Sequence, residues 1–419
     1  MPAAGSPRRI VIVGASLAGG TAAVTLRKNG FDGEVTLIGA ESHLPYERPP
    51  LSKAVLLGDA EEPDWVAQAD DYSGNGIDLQ SATTVAQISR DSHTVQAAGQ
   101  DYSYDKLVLA TGSSARTLGV PGADLSNVVT LRTLDDSLAL RSKLTDGAKV
   151  VIVGAGWIGC EVAAAARHHG AAVTMIDPLA QPLLRVLGEQ VGAAFAGLHR
   201  EHDVDLRLGM GVTGFEAGEG AAADAVAGVR LSDGSLVPAD VVVVGVGAAP
   251  RTELAEAAGL ELAAGGVAVD ATLRTSDPDI YAIGDIAAHA HPAYRERVRV
   301  EHWANAKDQG EHVAATLLGA DAPYTSRPFF FSDQYDLGCE YRGLADPSTD
   351  RLVVRGDLSG RDFTAFWLRD GAVAAAMNVN QWDDGDALQA LVDNDAKVSD
   401  DDLTSGNLAD LASQIGAAC

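Results

Sequence analysis

The chain has 419 residues, of which 46% are hydrophobic, so it can bury a large core and is predicted to form two or three domains. A formal net charge of −27 argues against nucleic acid and membranes as partners, because both nucleic acid and anionic lipid would repel an acidic protein. No apolar run is long enough to span a bilayer, and the first residues, MPAAGSPRR, lack the apolar stretch of a secretory signal, so a cytoplasmic protein is expected.

Short runs rich in Val and Ile alternate with helical segments up to about residue 320, and most of these runs stop at Gly or Asp. In chain order they read RIVIVGA, EVTLIGA, KLVLATG, KVVIVGA, AVTMID, DVVVVGVG and DIYAIGD. This pattern is typical of buried parallel strands whose carboxyl ends border a ligand crevice. The segments GTAAVTLRKNG and CEVAAAARHHG are predicted to be helices that end at a glycine.

The pattern changes near residue 325. The segments DRLVVRGDL and RDFTAFWLRDGAVAAAMNV alternate in polarity and are joined by short turns, which favours an antiparallel sheet. From Asp383 onward the chain is rich in Asp and has weak helical periodicity. Residues 326–419 are therefore predicted to form a separate α+β domain.

The chain carries nearly the same ten residues twice, as VIVGASLAGG near its start and as VIVGAGWIGC further on. In the second copy, Gly154, Gly156 and Gly159 form a complete G-x-G-x-x-G between a strand and a helix. This arrangement holds a pyrophosphate at a helix N-terminus. Asp177 closes the next strand, where a carboxylate can accept hydrogen bonds from ribose hydroxyls and would repel a 2′-phosphate.

The first copy has Gly14, Ser16 and Gly19, so a serine replaces the second glycine. Serine is small enough to allow the close approach of a phosphate, and it adds a hydroxyl group. Glu41 is the nearest candidate for a carboxylate on the ribose of this second nucleotide. The alternative interpretation makes Glu41 a surface turn residue.

A third motif, DIYAIGDIA, places Asp285 after a buried strand and before an apolar segment that is predicted to start a helix. Aspartate is rarely buried without partners. Asp285 is therefore either a ligand for polyol hydroxyls or the N-cap of that helix, and the sequence does not separate the two.

The titratable residues outside these motifs do not suggest a metal site. The three cysteines are scattered, with no C-x-x-C pair and no metal-type spacing: Cys160, Cys339 and Cys419. His199, Glu201 and His202 have helical spacing and are interpreted as an exposed polar face. No metal site and no reactive cysteine pair are predicted.

Taken together, these motifs resemble those of the two-dinucleotide flavoprotein reductases, and in particular the ferredoxin reductases that serve cytochrome P450 and Rieske-type oxygenase systems. The matching segments run through nearly the whole chain: HLPYERPPLSK, YDKLVLATGS, LRTLDD, VIVGAGWIGCE, YAIGD, RVEHWANAKDQG and FFFSDQYD. The resemblance implies an α/β fold with two Rossmann-like domains, for FAD (1–115 and 248–325) and for NAD (116–247). The C-terminal α+β domain with its antiparallel sheet would then cover 326–419.

The resemblance also implies the cofactor-binding residues. For FAD these are Gly14, Ser16, Ala18, Gly19, Arg48, Lys53, Val85, Thr111, Gly112, Arg132, Asp285 and Trp303. For NAD(H) they are Gly154, Gly156, Ile158, Gly159, Asp177, Gly247 and Glu301. By the same resemblance, the side chains of Lys53 and Glu161 meet beside the reactive edge of the flavin and are the catalytic candidates.

The implied function is that of an FAD-dependent NADH:ferredoxin reductase, which passes electrons singly to a [2Fe-2S] ferredoxin that feeds a cytochrome P450 or Rieske-type oxygenase. Reductases for rubredoxin, monodehydroascorbate or a quinone share the scaffold and are the alternatives. A thiol-based disulfide reductase needs a reactive cysteine where this chain has PPLS. A signalling protein like the apoptosis-inducing flavoproteins is a further alternative, which the acidic, compact chain disfavours.

Three positions depart from the family pattern: Ala40 where the family often has Asp, Arg251 where it often has Asn, and Phe331 where it often has Trp. Ferredoxins are usually acidic, so a local basic patch is expected to guide docking to this acidic chain. The candidates for that patch are Arg297, Arg299 and Arg342.

Overall fold

The structure is a computed structural model that describes residues 7–220 and 223–416. The first six residues of the N-terminal segment considered above, and Cys419, lie outside the described residues. Among the helices of the two described ranges, none is long and apolar enough to cross a membrane.

The strands of the described residues are, in chain order, β1 (Arg9–Val13), β2 (Glu34–Ile38), β3 (Ile77–Gln80), β4 (Val85–Ser89), β5 (Thr94–Ala97), β6 (Gln100–Ser103), β7 (Lys106–Leu109), β8 (Ser113–Ala115), β9 (Val128–Val129), β10 (Lys149–Val153), β11 (Ala172–Asp177), β12 (Asp205–Leu208), β13 (Val212–Ala217), β14 (Val226–Leu231), β15 (Leu236–Pro238), β16 (Val241–Val244), β17 (Ala248–Pro250), β18 (Leu262–Ala263), β19 (Gly266–Val269), β20 (Ile280–Ala282), β21 (Ala287–His291), β22 (Glu296–Val298), β23 (Phe329–Gln334), β24 (Leu337–Gly343), β25 (Arg351–Asp357), β26 (Asp362–Arg369) and β27 (Ala372–Val379). The α-helices are α1 (Leu17–Lys28), α2 (Ala54–Leu57), α3 (Ala69–Gly74), α4 (Leu134–Arg141), α5 (Trp157–His168), α6 (Leu184–Glu201), α7 (Glu253–Ala257), α8 (Trp303–Leu317), α9 (Gly385–Asp393), α10 (Asp400–Ser405) and α11 (Leu408–Gly416). Short 3-10 turns lie at Pro49–Ser52 and Gly284–Ile286.

The chain divides into two compact units. The first unit consists of the described parts of Met1–Arg48, Pro63–Ser114 and Ala248–Pro328. The second consists of the described parts of Pro49–Glu62, Ala115–Gly247 and Phe329–Cys419.

The first unit is built around a sheet of five parallel strands in the order β20-β7-β1-β2-β3. The apolar residues of β1 from Ile10 to Val13 are buried, as expected for a central strand of a parallel sheet covered on both faces. Helix α1 packs against α8. Small antiparallel sheets, such as β4-β5-β6, are added to this core. The sequence did not indicate them, because their strands are short and partly exposed.

The second unit repeats this arrangement, with a parallel sheet in the order β12-β11-β10-β16-β9. The central strand β10 lies between β11 and β16, as β1 lies between β2 and β7. The C-terminal part adds an antiparallel sheet in the order β23-β24-β27-β26-β25 and the helices α9 to α11. The predicted fold class, two Rossmann-like domains with a C-terminal α+β part, is confirmed.

Two segments group differently from the predicted domains. The segment Pro49–Glu62 belongs to the second unit, because Leu56 is buried in one apolar cluster with Leu140 and Leu144. The C-terminal sheet lies in the same unit, since Trp367 belongs to that cluster too. Residues 326–419 thus share one apolar cluster with the second dinucleotide fold, and they also have a cluster of their own that includes Phe366 and Leu388.

The predicted helix ends are confirmed in both glycine-motif helices. Helix α1 ends before Gly30 and α5 ends before Gly170, which have φ angles of +85° and +81°. Such left-handed backbone is accessible to glycine at little cost. The prediction of a helix after Asp285 is wrong, because a 3-10 turn at Gly284–Ile286 leads directly into strand β21.

Candidate functional site

The first glycine of each motif makes the same tight turn after the central strand. Gly14 has φ +114°, and a Cβ atom added there would lie 2.0 Å from the carbonyl oxygen of Ala110. Gly154 has φ +108°, and its added Cβ would lie 2.3 Å from the carbonyl oxygen of Gly245. Both contacts are far shorter than any real carbon–oxygen contact, so each position requires glycine.

The third glycine of each motif lets the helix begin directly against that turn. A Cβ atom on Gly19 would lie 2.0 Å from the oxygen of Gly14, and one on Gly159 would lie 2.0 Å from the oxygen of Gly154. Around the second glycine, Gly156, no described atom outside its chain neighbours and its own helix backbone lies within 4 Å of an added Cβ. A pyrophosphate can therefore approach the backbone at the start of α5, which fits the predicted nucleotide site.

Ala18 and Ile158 stand just before the third glycine of the two motifs, and they differ in exposure. Ala18, in α1, is 7% exposed and belongs to the core of the first unit. Ile158, in α5, is 43% exposed. An apolar surface at the mouth of a nucleotide site can cover part of a bound dinucleotide.

In the first unit, Ser16 takes part in a hydrogen-bonded cluster. Nη2 of Arg48 donates to Oγ of Ser16 at 3.1 Å and to Oε1 of Glu41 at 2.7 Å. The hydroxyl of Tyr46 donates to the other carboxylate oxygen of Glu41. Burial opposes the charge on Glu41, but Arg48 and the Tyr46 hydrogen bond outweigh it and lower the pKa of Glu41. Glu41 is thus part of this cluster and not a free surface turn residue.

The loop after β7 carries Thr111 and Gly112. Thr111 Oγ1 donates to the carbonyl oxygen of Arg251 at 2.7 Å, and the backbone N–H of Arg251 donates to the oxygen of Gly112 at 2.9 Å. The neighbouring Ser113 hydroxyl is buried and has no hydrogen-bond partner among the residues of the described ranges. A buried polar atom of this kind is expected where a ligand supplies the missing partner.

Asp285 lies in the turn after β20. The cap residue of this turn is Ile283, so the interpretation of Asp285 as a helix N-cap is wrong. Two side chains from other segments hydrogen-bond to the backbone of this turn. Gln309 accepts from the N–H of Gly284 at 2.8 Å, and Arg299 donates to the carbonyl oxygen of Asp285 at 3.1 Å.

The remaining FAD candidates begin or precede regular elements. Val85 is the first residue of β4 and is buried, and Arg132 lies just before α4, with its N–H bonded to Asp136 at 3.0 Å. Trp303 is the first residue of α8, and Nζ of Lys307 lies 5.2 Å from the centre of its ring.

In the second unit, Asp177 ends strand β11 and is bonded to backbone. Its Oδ2 accepts from the N–H of Ala155 in the glycine turn at 2.7 Å, and its Oδ1 accepts from the N–H of Leu179 at 2.8 Å. The carboxylate is therefore fixed in orientation beside the glycine turn, and each oxygen has a further lone pair for another donor. Gly247, another NAD(H) candidate, follows β16 with φ +105°.

Lys53 and Glu161 are brought together within the second unit. Nζ of Lys53 lies 2.8 Å from Oε1 of Glu161, and the two side chains are 15% and 4% exposed. Two serine hydroxyls also donate to this carboxylate, from Ser52 to Oε2 and from Ser332 to Oε1 at 2.7 Å. Sequence reasoning missed both serines, although they stand inside the segments PPLSK and FFFSDQYD.

The unit boundaries cut across the predicted cofactor sets. Lys53 and Arg132, assigned to FAD by resemblance, lie in the second unit, which holds most of the NAD(H) candidates. Glu301, assigned to NAD(H), lies in the first unit, where Arg299 pairs with its carboxylate.

The cysteines in the described part of the chain are unsuited to redox chemistry. Cys160 and Cys339 are free thiols that are 0% and 1% exposed. Burial raises the pKa of both thiols, so both remain protonated and weakly nucleophilic at neutral pH.

Among His199, Glu201 and His202, which are predicted to form an exposed polar face, Glu201 is exposed and His202 is partly exposed, but His199 is not. His199 is fully buried and its Nδ1 lies 3.2 Å from the hydroxyl of Tyr335, so it is not part of an exposed polar face. Burial lowers the pKa of His199 to about 4. Across residues 7–220 and 223–416, no group of three or more His, Cys, Asp or Glu side chains could hold a metal ion.

The three arginines suggested for ferredoxin docking differ in exposure and in their partners. Arg342 has a side chain only 7% exposed, bonded to Asn378 at 2.7 Å and to Glu340 at 2.6 Å. Arg299 is paired with Glu301, and Arg297 donates two hydrogen bonds to backbone carbonyls. The buried, paired Arg342 is thus unsuited to docking, whereas Arg297 and Arg299 are partly exposed and their docking role stays a prediction.

Comparison with known proteins yields two family matches that together span most of the chain. Residues 8–310 match the family described as pyridine nucleotide-disulphide oxidoreductase, and residues 329–412 match the family described as reductase C-terminal.

Individual relatives match over nearly their whole length. The chain is 40% identical over 403 residues to the 5,5′-dehydrodivanillate O-demethylase ferredoxin reductase subunit of Sphingobium sp., covering 95% of this chain and 96% of that protein. It is 42% identical to the ferredoxin–NAD(+) reductase component of the anthranilate 1,2-dioxygenase system of Burkholderia cepacia, covering 91% and 93%. A crystal structure of a covalent putidaredoxin reductase–putidaredoxin complex aligns with a TM-score of 0.92 at 37% identity, covering 99% of both chains.

Proposed function

This chain belongs to the pyridine nucleotide-disulphide oxidoreductase family, and we propose that it is an FAD-dependent NADH:ferredoxin reductase of an oxygenase system. The observation that carries the proposal is the match to ferredoxin reductase components, about 40% identical, over nearly the full length of both chains. The proposed electron acceptor is a [2Fe-2S] ferredoxin, which passes electrons to a cytochrome P450 or a Rieske-type oxygenase.

The two glycine turns support the use of two dinucleotides. We assign FAD to the motif with Gly14, Ser16 and Gly19, and NAD(H) to the motif with Gly154 and Gly156, within the domains 1–115 plus 248–325 and 116–247. The orphaned hydroxyl of Ser113 and the empty space over Gly156 fit bound cofactors. We assign each of the other cofactor-binding candidates to FAD or NAD(H) as the resemblance implies. Glu41 is assigned to the ribose of FAD.

The chemistry of the reaction is that of the flavin, which when bound takes up a hydride from NADH and gives electrons up one at a time. The protein contributes orientation and electrostatics. Asp177, fixed by two backbone N–H groups, is placed to accept hydrogen bonds from the ribose hydroxyls of NADH. Lys53 supplies a localised positive charge, and Glu161 fixes the position of its ammonium group.

A thiol relay has no support in the described chain. A dithiol mechanism needs an accessible cysteine of lowered pKa, whereas burial raises the pKa of Cys160 and Cys339. The segment before Lys53 reads Pro49, Pro50, Leu51, Ser52 and offers no sulfur. We therefore propose direct electron transfer from the flavin to the acceptor protein, in the cytoplasm, where NADH is available.

The test is a comparison of electron acceptors with the purified, FAD-loaded protein. NADH oxidation is measured with [2Fe-2S] ferredoxins, rubredoxin, monodehydroascorbate and quinones, and kcat/KM values are compared. The proposal expects a ferredoxin to be reduced at least about a hundredfold more efficiently than the other acceptors, a difference of about 3 kcal/mol in transition-state free energy. A protein that binds no FAD, or that prefers another acceptor, refutes it.

A further inference from the structure

The carboxylate of Glu161 receives three donors in a place that is almost closed to water. Its side chain is 4% exposed. Oε1 lies 2.8 Å from Nζ of Lys53 and accepts from the Ser332 hydroxyl at 2.7 Å, while Oε2 accepts from the Ser52 hydroxyl. A buried carboxylate is costly unless donors satisfy it, so these three contacts explain how Glu161 is retained in the core.

The orientation of the Ser332 hydroxyl is set by a fourth residue. Ser332 lies on β23 and is fully buried, and Nε2 of Gln334 donates to its oxygen at 3.2 Å. Because the oxygen accepts from Gln334, the hydroxyl hydrogen is left to point to Glu161. Ser52 comes from a different segment, the 3-10 turn at Pro49–Ser52, where its hydroxyl also lies 3.4 Å from the carbonyl oxygen of Pro49.

The lysine is the flexible member of this group. Its side chain is 15% exposed, and Nζ lies 5.4 Å from the centre of the Phe331 ring. A lysine has several rotatable bonds and presents a point charge with no preferred direction. The position of its ammonium group therefore depends on how firmly its partner carboxylate is held.

We propose that Ser52 and Ser332 are positioning residues that clamp the Glu161 carboxylate from two separate segments and so hold the Lys53 ammonium in one place. This inference rests on the proposed function, which puts Lys53 beside the flavin. The serines touch neither the cofactor nor the substrate in this scheme. They act on the reaction through the position of a single charge.

Serine-to-alanine variants test the clamp against a purely structural role. Ser137 provides the matched control, because it is also fully buried in the second unit and its hydroxyl supports the same 3-10 turn through the backbone oxygen of Leu51, at 2.7 Å, and not through a carboxylate. We compare Ser52→Ala, Ser332→Ala and Ser137→Ala, each in the wild-type and in the Glu161→Gln background.

Three quantities are measured on the FAD-loaded proteins: flavin reduction by saturating NADH in stopped flow, the flavin midpoint potential, and the rate at which Lys53 reacts with an acylating reagent, followed by mass spectrometry. We expect Ser332→Ala and Ser52→Ala each to slow reduction about tenfold, to lower the potential and to raise Lys53 labelling several-fold. These changes should be several-fold smaller in the Glu161→Gln background, since glutamine keeps one acceptor oxygen but loses the charge and the second acceptor through which the serines act.

The outcomes separate the clamp from the proposed function. Folded serine variants with wild-type reduction rate, potential and labelling refute the clamp, as do equal effects in the Glu161→Gln background or in Ser137→Ala. If wild-type flavin is not reduced by NADH, the proposed function fails, whereas the labelling of Lys53 still decides whether the serines hold it.

Discussion

Removing the Asp177 carboxylate is expected to narrow the preference of this protein for NADH over NADPH. The carboxylate is held beside the glycine turn by the N–H groups of Ala155 and Leu179, at 2.7 and 2.8 Å. In the proposed function, the carboxylate accepts hydrogen bonds from the ribose hydroxyls of NADH in that position. The 2′-phosphate of NADPH would instead bring a second negative charge to the same place.

The expected size of the change in kcat/KM follows from these two interactions, the hydrogen bond to the ribose and the repulsion of the phosphate. A hydrogen bond from a hydroxyl to a charged acceptor contributes about 1.5–3 kcal/mol. Two unit charges about 4 Å apart near a protein surface interact by about 4 kcal/mol, and the partial exposure of Asp177 reduces this to a few kcal/mol. We therefore expect Asp177→Ala to lower kcat/KM for NADH about 10- to 100-fold. The kcat/KM for NADPH should rise by a smaller factor than the kcat/KM for NADH falls, because the variant offers no cation to the 2′-phosphate.

The assay measures kcat/KM for both nucleotides with an artificial dye as electron acceptor. Asp240→Asn is the matched control: it removes the same charge from an exposed carboxylate that accepts from the N–H of Lys149 at 2.8 Å, just before β16 on the same sheet. This control should keep the nucleotide preference of the wild type. Equal use of both nucleotides by the wild-type protein, or an unchanged preference in Asp177→Ala, would refute the role of Asp177.

Three further predictions concern thiols, acid stability and a buried arginine. The double variant Cys160→Ser, Cys339→Ser should keep most ferredoxin-dependent turnover while unfolding at lower urea concentration, and loss of turnover in a folded, flavin-loaded variant would restore a thiol mechanism. Burial lowers the pKa of His289 from 6.5 to about 4, so acidification from pH 6.5 to 4 protonates only the unfolded state and should lower the free energy of unfolding by about 3 kcal/mol for this residue. Urea titrations of His289→Gln should show a smaller acid loss, and an equal loss would contradict this. Arg342→Glu should destabilise the fold and slow dye and ferredoxin reduction alike, and a defect confined to ferredoxin would restore its docking role.

The parallel strands and the glycine turns could be predicted because their causes are local. A run such as RIVIVGA combines β-branched residues with a glycine that the turn requires, and Gly14 and Gly154 show that requirement in their φ angles. The ion pair of Lys53 with Glu161 lay beyond any such pattern. Residues so far apart in the chain meet through tertiary packing, so only the resemblance to a family suggested their contact.

The errors have the same origin. Helical spacing placed His199 on a polar face, but α6 turns that side to the core, where the ring nitrogen Nδ1 lies within hydrogen-bond distance of the Tyr335 hydroxyl. Arg342 looked available for docking because the sequence does not show that Asn378 and Glu340 occupy its guanidinium. In both cases a polar side chain found its partners inside the fold, which no single stretch of sequence reveals.

The difference between the two glycine motifs has a physical consequence for the cofactors. At the second position, Gly156 leaves open space, whereas Ser16 carries a hydroxyl whose oxygen accepts from Arg48. Arg48 is in turn fixed by Glu41, so its guanidinium is preorganised beside the first turn before any ligand arrives. Preorganised donors bind an anion with less entropic cost than free side chains. On the proposed assignment, Arg48 gives the FAD motif a donor that is already in place, whereas the NAD(H) motif offers bare backbone to a nucleotide that binds and leaves in each turnover.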